Sequence, residues 1–359
     1  MLYSHRMRII VLALLSFLIP LHGAGQTYTL KGKTDKRTIL LYIDCDSTGC
    51  TGTYFYDNAL KDTRLGGRKT GKEIDLHATM PALTDTVCHI TLKHKRGNAW
   101  KCIIVDTGQK KRKLKLHARK ESYEDLRTSF FKTTTDSKIT RGKYTAELYH
   151  IAGVEAYGLR ITGGLDTVIA NKINSIVYKT VLNLANGYCT CMSDYGIGEM
   201  SSSLSYYYID EHLLSVVMST GYDCGGAHPD EYTNAFNFNL DDGQLLQLPE
   251  VLQLFDSTDR QVQNESESSL LTEAYTEALM ELLTVHFPTK MVAEKEGQEC
   301  DFTDYSVWQE SAWHFHEKGI WVAPSFPHLI NECGDEDWSV IPWAVVREYL
   351  DVSSKLVLP

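Results

Sequence analysis

Two neighbouring stretches decide how the C-terminal part of this chain is read. They are Cys224-Gly225-Gly226-Ala227-His228-Pro229 and Phe236-Asn237-Phe238-Asn239-Leu240-Asp241-Asp242-Gly243-Gln244-Leu245-Leu246-Gln247-Leu248. Alternating apolar and polar residues on both sides of Asp241-Asp242-Gly243 predict a tight β-hairpin. Ahead of it, two glycines, an alanine, a histidine and a proline predict a sharp corner, because glycine takes positive φ at no steric cost.

Strand-like runs surround this hairpin at residues 144–151, 157–161, 206–209 and 213–218. Another pair, 313–315 and 320–322, flanks Lys318-Gly319, and a last element spans 340–350. Two helices are expected among them. Over residues 166–184, Ile169, Ile173, Ile176, Val177 and Val181 share one face, and Asn186-Gly187 is a stop signal. Over residues 268–285, Leu271, Tyr275, Leu279, Leu282 and Leu283 give a broad apolar face with Pro288 beyond its end. Residues 141–359 therefore predict an α+β domain, an antiparallel sheet with two helices packed on one face. Residues 27–118 predict a small all-β domain, a sheet or barrel, from strands near 38–43, 52–56, 73–77, 86–92 and 100–105 and an alternation around Leu114 and Leu116. Residues 119–140, rich in Lys, Thr, Ser and Asp, are expected as a linker.

Arg6 and Arg8 precede an apolar run over residues 9–21, and Gly23, Ala24 and Gly25 suit a signal peptidase. Residues 1–25 thus predict a secretory signal peptide and an exported protein, periplasmic or extracellular. No later stretch is long and apolar enough to form an integral membrane span. Nine cysteines agree with an oxidising compartment. The pairs expected from their placement are Cys45 with Cys50, Cys88 with Cys102, Cys300 with Cys333, and Cys224 with Cys189 or Cys191, and the odd count leaves at least one thiol.

Charge divides sharply. Residues 27–120 hold 20 Lys and Arg against 9 Asp and Glu, a net of +11, whereas residues 121–359 hold 14 against 37, a net of −23. The acidic half is expected to favour a cationic partner. The basic run at residues 110–115 reads as a strand with a solvated face, and nucleic acid is not expected as a partner of an exported chain.

The corner and hairpin resemble the Gly-Gly-Ala-His-Pro signature of an extracytoplasmic domain family. That domain is shared by the lysozyme-sensing anti-sigma-V factor RsiV and the non-catalytic region of the peptidoglycan deacetylase PdaC. Asn171-Lys172-Ile173-Asn174, Leu248-Pro249-Glu250-Val251-Leu252, Lys318-Gly319-Ile320-Trp321-Val322 and Val340-Ile341-Pro342-Trp343 are similar to further stretches of that family. Gly52-Thr53-Tyr54-Phe55-Tyr56 with Leu65-Gly66-Gly67 looks like a small β-module found beside it. The chain departs from the pattern after Phe326-Pro327, where an insertion carries Cys333 and Asp335-Glu336-Asp337. The resemblance implies a non-catalytic binding module of the cell envelope that takes a cationic protein such as a lysozyme, or peptidoglycan.

The chemistry-bearing residues support the same expectation. Leu240-Asp241-Asp242-Gly243 copies part of a deacetylase metal segment, but its aspartates fall at turn positions and the accompanying His-x-x-x-His pair is absent from the sequence. His314 and His316 share a strand face, yet no zinc-ligand spacing accompanies them. No nucleophile elbow or dinucleotide loop is present. No catalytic residue, metal or cofactor is therefore expected. The expected binding residues are Gly225, Gly226, His228, Tyr206, Tyr208, Trp313 and Trp321, with the aromatics as anchors. The alternative is a wall-directed hydrolase using His228 with Asp223 and Asp230.

Overall fold

The computed structural model describes residues 25–34, 37–57, 59–79, 86–106, 108–194, 199–225, 229–254, 265–292, 300–309, 311–326, 333, 338–350 and 354–359. The expected signal segment, the acidic triplet at 335–337, and Gly226, Ala227 and His228 lie outside the described residues. Residues 193–196 apart, the chain divides into two compact units between Phe130 and Phe131.

The first unit is a closed barrel rather than a small open sheet. Its eight strands follow one another in chain order: β1 (Gln26–Lys33), β2 (Thr38–Cys45), β3 (Cys50–Tyr56), β4 (Asp62–Thr70), β5 (Glu73–Thr79), β6 (Thr86–His94), β7 (Ala99–Asp106) and β8 (Lys111–Ala118). Antiparallel pairing of β1 with β8, Leu30 opposite Ala118 and Gly32 opposite Leu116, closes it. Inward side chains such as Leu30, Ile43, Ile74, Leu76, Ile90 and Leu92 are fully buried and fill the interior. Lys93, Lys101 and Lys115 lie opposite one another on neighbouring strands and alternate with inward positions, so the outside is basic. β4 gives a weak sequence signal, because Gly66-Gly67 interrupts it. Gly67 is required by close approach: a Cβ there would meet the Asp75 carbonyl at 2.0 Å.

Residues 119–140, expected as a linker, carry regular structure instead. Helix α1 (Tyr123–Thr128) is capped by Ser122, whose hydroxyl accepts the Asp125 N–H. Its Tyr123 and Arg127 are buried, and both converge on buried Asp62. The Tyr123 hydroxyl donates to Asp62 Oδ1 at 2.7 Å, and Arg127 Nη1 donates to Asp62 Oδ2. A carboxylate and guanidinium so enclosed are tolerable only as a hydrogen-bonded pair.

The second unit opens with a three-stranded sheet, β9 (Thr133–Arg141), β10 (Tyr144–Ile151) and β11 (Tyr157–Gly163), with β10 in the centre. Helix α2 (Thr167–Asp194) packs on it. Gly158 of β11 admits the helix so closely that a Cβ would meet Val181 at 2.7 Å. Asn174 of α2 accepts the Ile161 N–H and donates to the Ile161 carbonyl, both at 2.8 Å, so one amide satisfies a backbone pair on the edge strand. The helix runs through Asn186-Gly187, where the sequence signals a stop. Beyond that point Cys189 and Cys191 are buried, and Cys191 is bonded to Cys224, so tertiary anchoring overrides local propensity.

The expected hairpin is present. β12 (Glu199–Ile209), β13 (Leu213–Asp223), β14 (Asp230–Asn239) and the short β15 (Gln244–Leu245) form an antiparallel meander, with Phe238 opposite Leu245 and Gly243 at φ +68° in the turn. Next come α3 (Leu248–Val251), α4 (Glu265–His286) and a 3-10 turn (Tyr305–Trp308). The third sheet, β16 (Ala312–His316), β17 (Gly319–Ala323) and β18 (Val340–Pro342), is followed by α5 (Trp343–Glu348). Leu279, Leu282 and Leu283 of α4 join Trp308, Phe315, Ile320 and Ile341 in one core. The two long helices thus serve separate cores, which corrects the expectation that both cover one face of a single sheet. Each small sheet needs its own apolar cover.

Side chains join the second and third sheets. A strand presents the carbonyl of residue i and the N–H of residue i+2 on one edge. On β16 these are the Trp313 carbonyl and the Phe315 N–H. Asn237 Nδ2 of β14 donates to the first at 2.8 Å, and Ser215 Oγ of β13 accepts the second at 2.8 Å. The Ser215 hydroxyl donates in turn to Asn237 Oδ1 at 2.5 Å, and both residues are fully buried.

Disulfides join Cys45 to Cys50, Cys191 to Cys224 and Cys300 to Cys333. Cys88 and Cys102 remain thiols, contrary to expectation. The β6–β7 register sets Cys88 opposite Asp106 and Cys102 opposite Leu92, so they are displaced along the ladder. Burial raises both thiols, Cys102 to about 12, which makes them poor nucleophiles.

Two outcomes follow. Asp62→Asn should lower the stability of the protein to urea by about 3–5 kcal/mol, and the paired change Asp62→Leu with Arg127→Met should regain most of it. A single substitution costing under about 1 kcal/mol would contradict the clamp. Thiol counting in denaturant without reductant should find three reactive groups, Cys88, Cys102 and Cys189, and Cys88 and Cys102 should react slowly in the native protein.

Candidate functional site

On β12, Tyr206 and Tyr208 share one face, two residues apart, and Tyr207 points to the other. On β16, His314 and His316 likewise alternate with Trp313 and Phe315, and the tight turn at Glu317-Lys318 sets Trp321 of β17 opposite His314. These side chains meet. The Tyr206 and His314 rings stack with centroids 4.2 Å apart at 28°, and His316 lies beyond at 6.3 Å from Tyr206. His314 also lies against Trp321 at 4.7 Å. The result is a ladder of rings, Tyr206–His314–Trp321, with only its outer members partly exposed.

Acidic groups border this ladder. The Tyr208 hydroxyl donates to Asp210 Oδ2 at 2.7 Å. Burial, together with the Glu317 carboxylate, pushes Tyr206 up to about 12, and burial and the Asp210 hydrogen bond raise Tyr208. Both phenols therefore stay protonated. Burial lowers His314 to about 4, so its imidazole is neutral at pH 7. Its Nδ1 lies 2.9 Å from the Phe315 carbonyl and must donate there, which leaves Nε2 as the unprotonated nitrogen. The Trp321 indole N–H is buried and has no hydrogen-bond partner among the described residues. Electron-rich rings, a neutral imidazole and carboxylates Asp210 and Glu317 make a face suited to cationic groups.

The structure thus gathers three of the expected binding residues, Tyr206, Tyr208 and Trp321. It places Trp313 on the opposite side of β16, buried in the core. Gly225, at φ +82°, donates its N–H to Asp223 Oδ1 and forms the corner beside the Cys191–Cys224 bond. Gly225 lies eight residues beyond Val217, the partner of Tyr206, or about 26 Å of extended chain. Corner and aromatic ladder are therefore separate features. Gly226 and His228 fall outside the described residues. Sequence reasoning weighed His314 only as a metal ligand. The two-residue turn and the alternation already imply its pairing with Trp321, whereas its contact with Tyr206 depends on how the sheets join.

No group of three or more His, Cys, Asp or Glu side chains suited to a metal occurs among the described residues. Asp241 and Asp242 occupy the hairpin turn, Asp241 paired with His212 at 3.1 Å and Asp242 Oδ1 accepting the Gln244 N–H. No helix among the described residues is long and apolar enough to cross a membrane. No protein-family model matches the sequence, and no curated protein matches it either.

His314 carries a pH signature. Its ordinary value of 6.5 applies to the unfolded chain and about 4 to the folded one. As pH falls from 6.5 to 4 the unfolded chain binds the proton first, so stability is lost across that window. Between pH 7.5 and 4.5, His314→Phe should lose about 2–3 kcal/mol less stability than the unmodified protein in denaturant titrations. Equal losses would show that His314 is not buried as a neutral ring.

Proposed function

We propose that the second unit is a non-catalytic binding module of an exported, envelope-associated protein and that it docks a cationic protein on the Tyr206–His314–Trp321 face. The observation that carries this reading is the aromatic ladder bordered by Asp210 and Glu317 in a region whose net charge is −23. Lys and Arg side chains of a partner gain from ring faces and from carboxylates together, and the summed field speeds encounter. Three disulfides and the N-terminal signal-like segment support export. The resemblance of the corner and hairpin to motifs of the RsiV and PdaC domain family suggests a lysozyme-like muramidase as the partner. Peptidoglycan is the other partner the resemblance suggests, and the aromatic–acidic face favours the protein.

The test is titration of the full chain with a lysozyme at ~0.15 M salt, beside a basic protein of similar charge that is not a lysozyme. Saturable binding confined to the lysozyme is expected, with Tyr206→Ala weakening it at least tenfold. Equal affinity for both proteins, or none for either, would contradict the reading.

A further inference from the structure

The outer face of the barrel carries a charge arrangement that folding alone does not favour. Lys101, Ile103 and Val105 of β7 and Lys111, Lys113 and Lys115 of β8 point outward, alternating with core residues such as Cys102, Ile104 and Leu116. The register sets Lys101 directly opposite both Lys93 of β6 and Lys115 of β8. Neighbouring strands lie about 4.8 Å apart and alternate residues of one strand about 7 Å, so each charge falls within a Debye length, ~8 Å at physiological salt, of the next. Like charges directly opposite one another destabilise a sheet. Glu73 relieves Lys93 at 3.2 Å, whereas Lys101, Lys111, Lys113 and Lys115 are exposed and make no ion pair among the described residues.

The residues among these lysines narrow the partner. Protein interfaces are depleted of Lys and anchored by aromatic or Arg side chains, and no Trp, Tyr, Phe or Arg occupies an outward position of β7 or β8. Single-stranded nucleic acid needs aromatic platforms for its bases, which the face lacks. An anionic bilayer holds proteins that add protruding apolar side chains to a basic surface, and here Ile103 and Val105 are half-buried between the lysines. What the face offers is compact point charges without a fixed hydrogen-bonding fork, beside an aliphatic floor. A linear acidic polysaccharide matches both. A carboxylate on every sugar meets lysines repeated along and across the strands, and the C–H faces of its rings lie on Ile103, Val105 and the lysine stems.

We propose that the outer β7–β8 face of the barrel binds a linear polyuronate, independently of the aromatic face of the second unit. Full-length protein would be titrated into an end-labelled fluorescent decagalacturonate at ~0.15 M salt, with binding followed by anisotropy. A neutral malto-oligosaccharide of equal length, a single-stranded DNA of equal charge and vesicles containing phosphatidylglycerol serve as comparators.

Saturable binding of the polyuronate is expected, weakening steeply as salt rises, with at least tenfold weaker binding of all three comparators. Combining Lys101→Gln, Lys113→Gln and Lys115→Gln should weaken it at least tenfold. Because these changes remove like charges from one face, stability to urea should be unchanged or higher. Removing equal charge from exposed positions elsewhere on the barrel, Lys61→Gln with Arg68→Gln and Lys72→Gln, should change the affinity less than threefold. Tyr206→Ala should leave polyuronate binding intact, which separates this outcome from the fate of the docking face. Absence of polyuronate binding would overturn the proposal. So would equal or tighter binding of the neutral glycan, DNA or vesicles, or equal weakening by the two triple substitutions in folded protein.

Discussion

Two buried side chains, Ser215 and Asn237, complete the edge of β16 where no backbone partner is available. An unpaired N–H and carbonyl enclosed in a core would each cost about 1–3 kcal/mol. Hydrogen bonds from β13 and β14 remove that cost at Phe315 and Trp313 while holding the third sheet at one position on the second. A hydroxyl and a carboxamide can span this junction where a backbone ladder would demand matched strand directions. The aromatic face follows from it. Fixing Phe315 and Trp313 toward the core puts His314 and His316 on the other face of β16, in register with Tyr206 on β12.

The same junction sets the electrostatics. Once His314 is enclosed between two rings, its charged form is disfavoured, and the face presents rings and carboxylates with a neutral imidazole. On the other side of β16, Trp313 lines a cavity of about 430 Å³ together with Tyr275 and Trp308. Alternation along one five-residue strand thereby separates an acidic, aromatic face from the buried core that holds Trp313 and Phe315. The barrel unit obeys the opposite economy of charge: its interior is closely filled with Leu and Ile, and its strands present lysines outward.

Much of this was legible in the sequence where a pattern is local. The Asp241-Asp242-Gly243 hairpin, the Lys318-Gly319 hairpin, the long amphipathic helices and the Cys45–Cys50 pair, five residues apart, all rest on short-range periodicity or turn chemistry. What was not legible depends on contacts distant in the chain. Barrel closure by β1 and β8 joins residues nearly ninety positions apart, and β4 hides behind the two glycines that its tight packing requires. Asn186-Gly187 signals a helix end, but the buried turn beyond it and the Cys191–Cys224 bond hold the helix on. Cys88 and Cys102 lie on neighbouring strands as read, and only the register shows that they cannot meet. At the candidate site, Tyr206, Tyr208 and Trp321 were expected from residue type, and the structure brings them near one another. Their meeting with His314, and the removal of Trp313 from that face, depend on a polar junction that no periodicity encodes.

The most direct measurement of this junction is amide hydrogen exchange at Phe315 in the unmodified protein and in Ser215→Ala. If Ser215 completes the strand edge, the Phe315 N–H is strongly protected at first, and the substitution speeds its exchange at least tenfold while the barrel amides keep their rates. Unchanged protection at Phe315 in a folded Ser215→Ala protein would contradict the claim that these side chains join the two sheets.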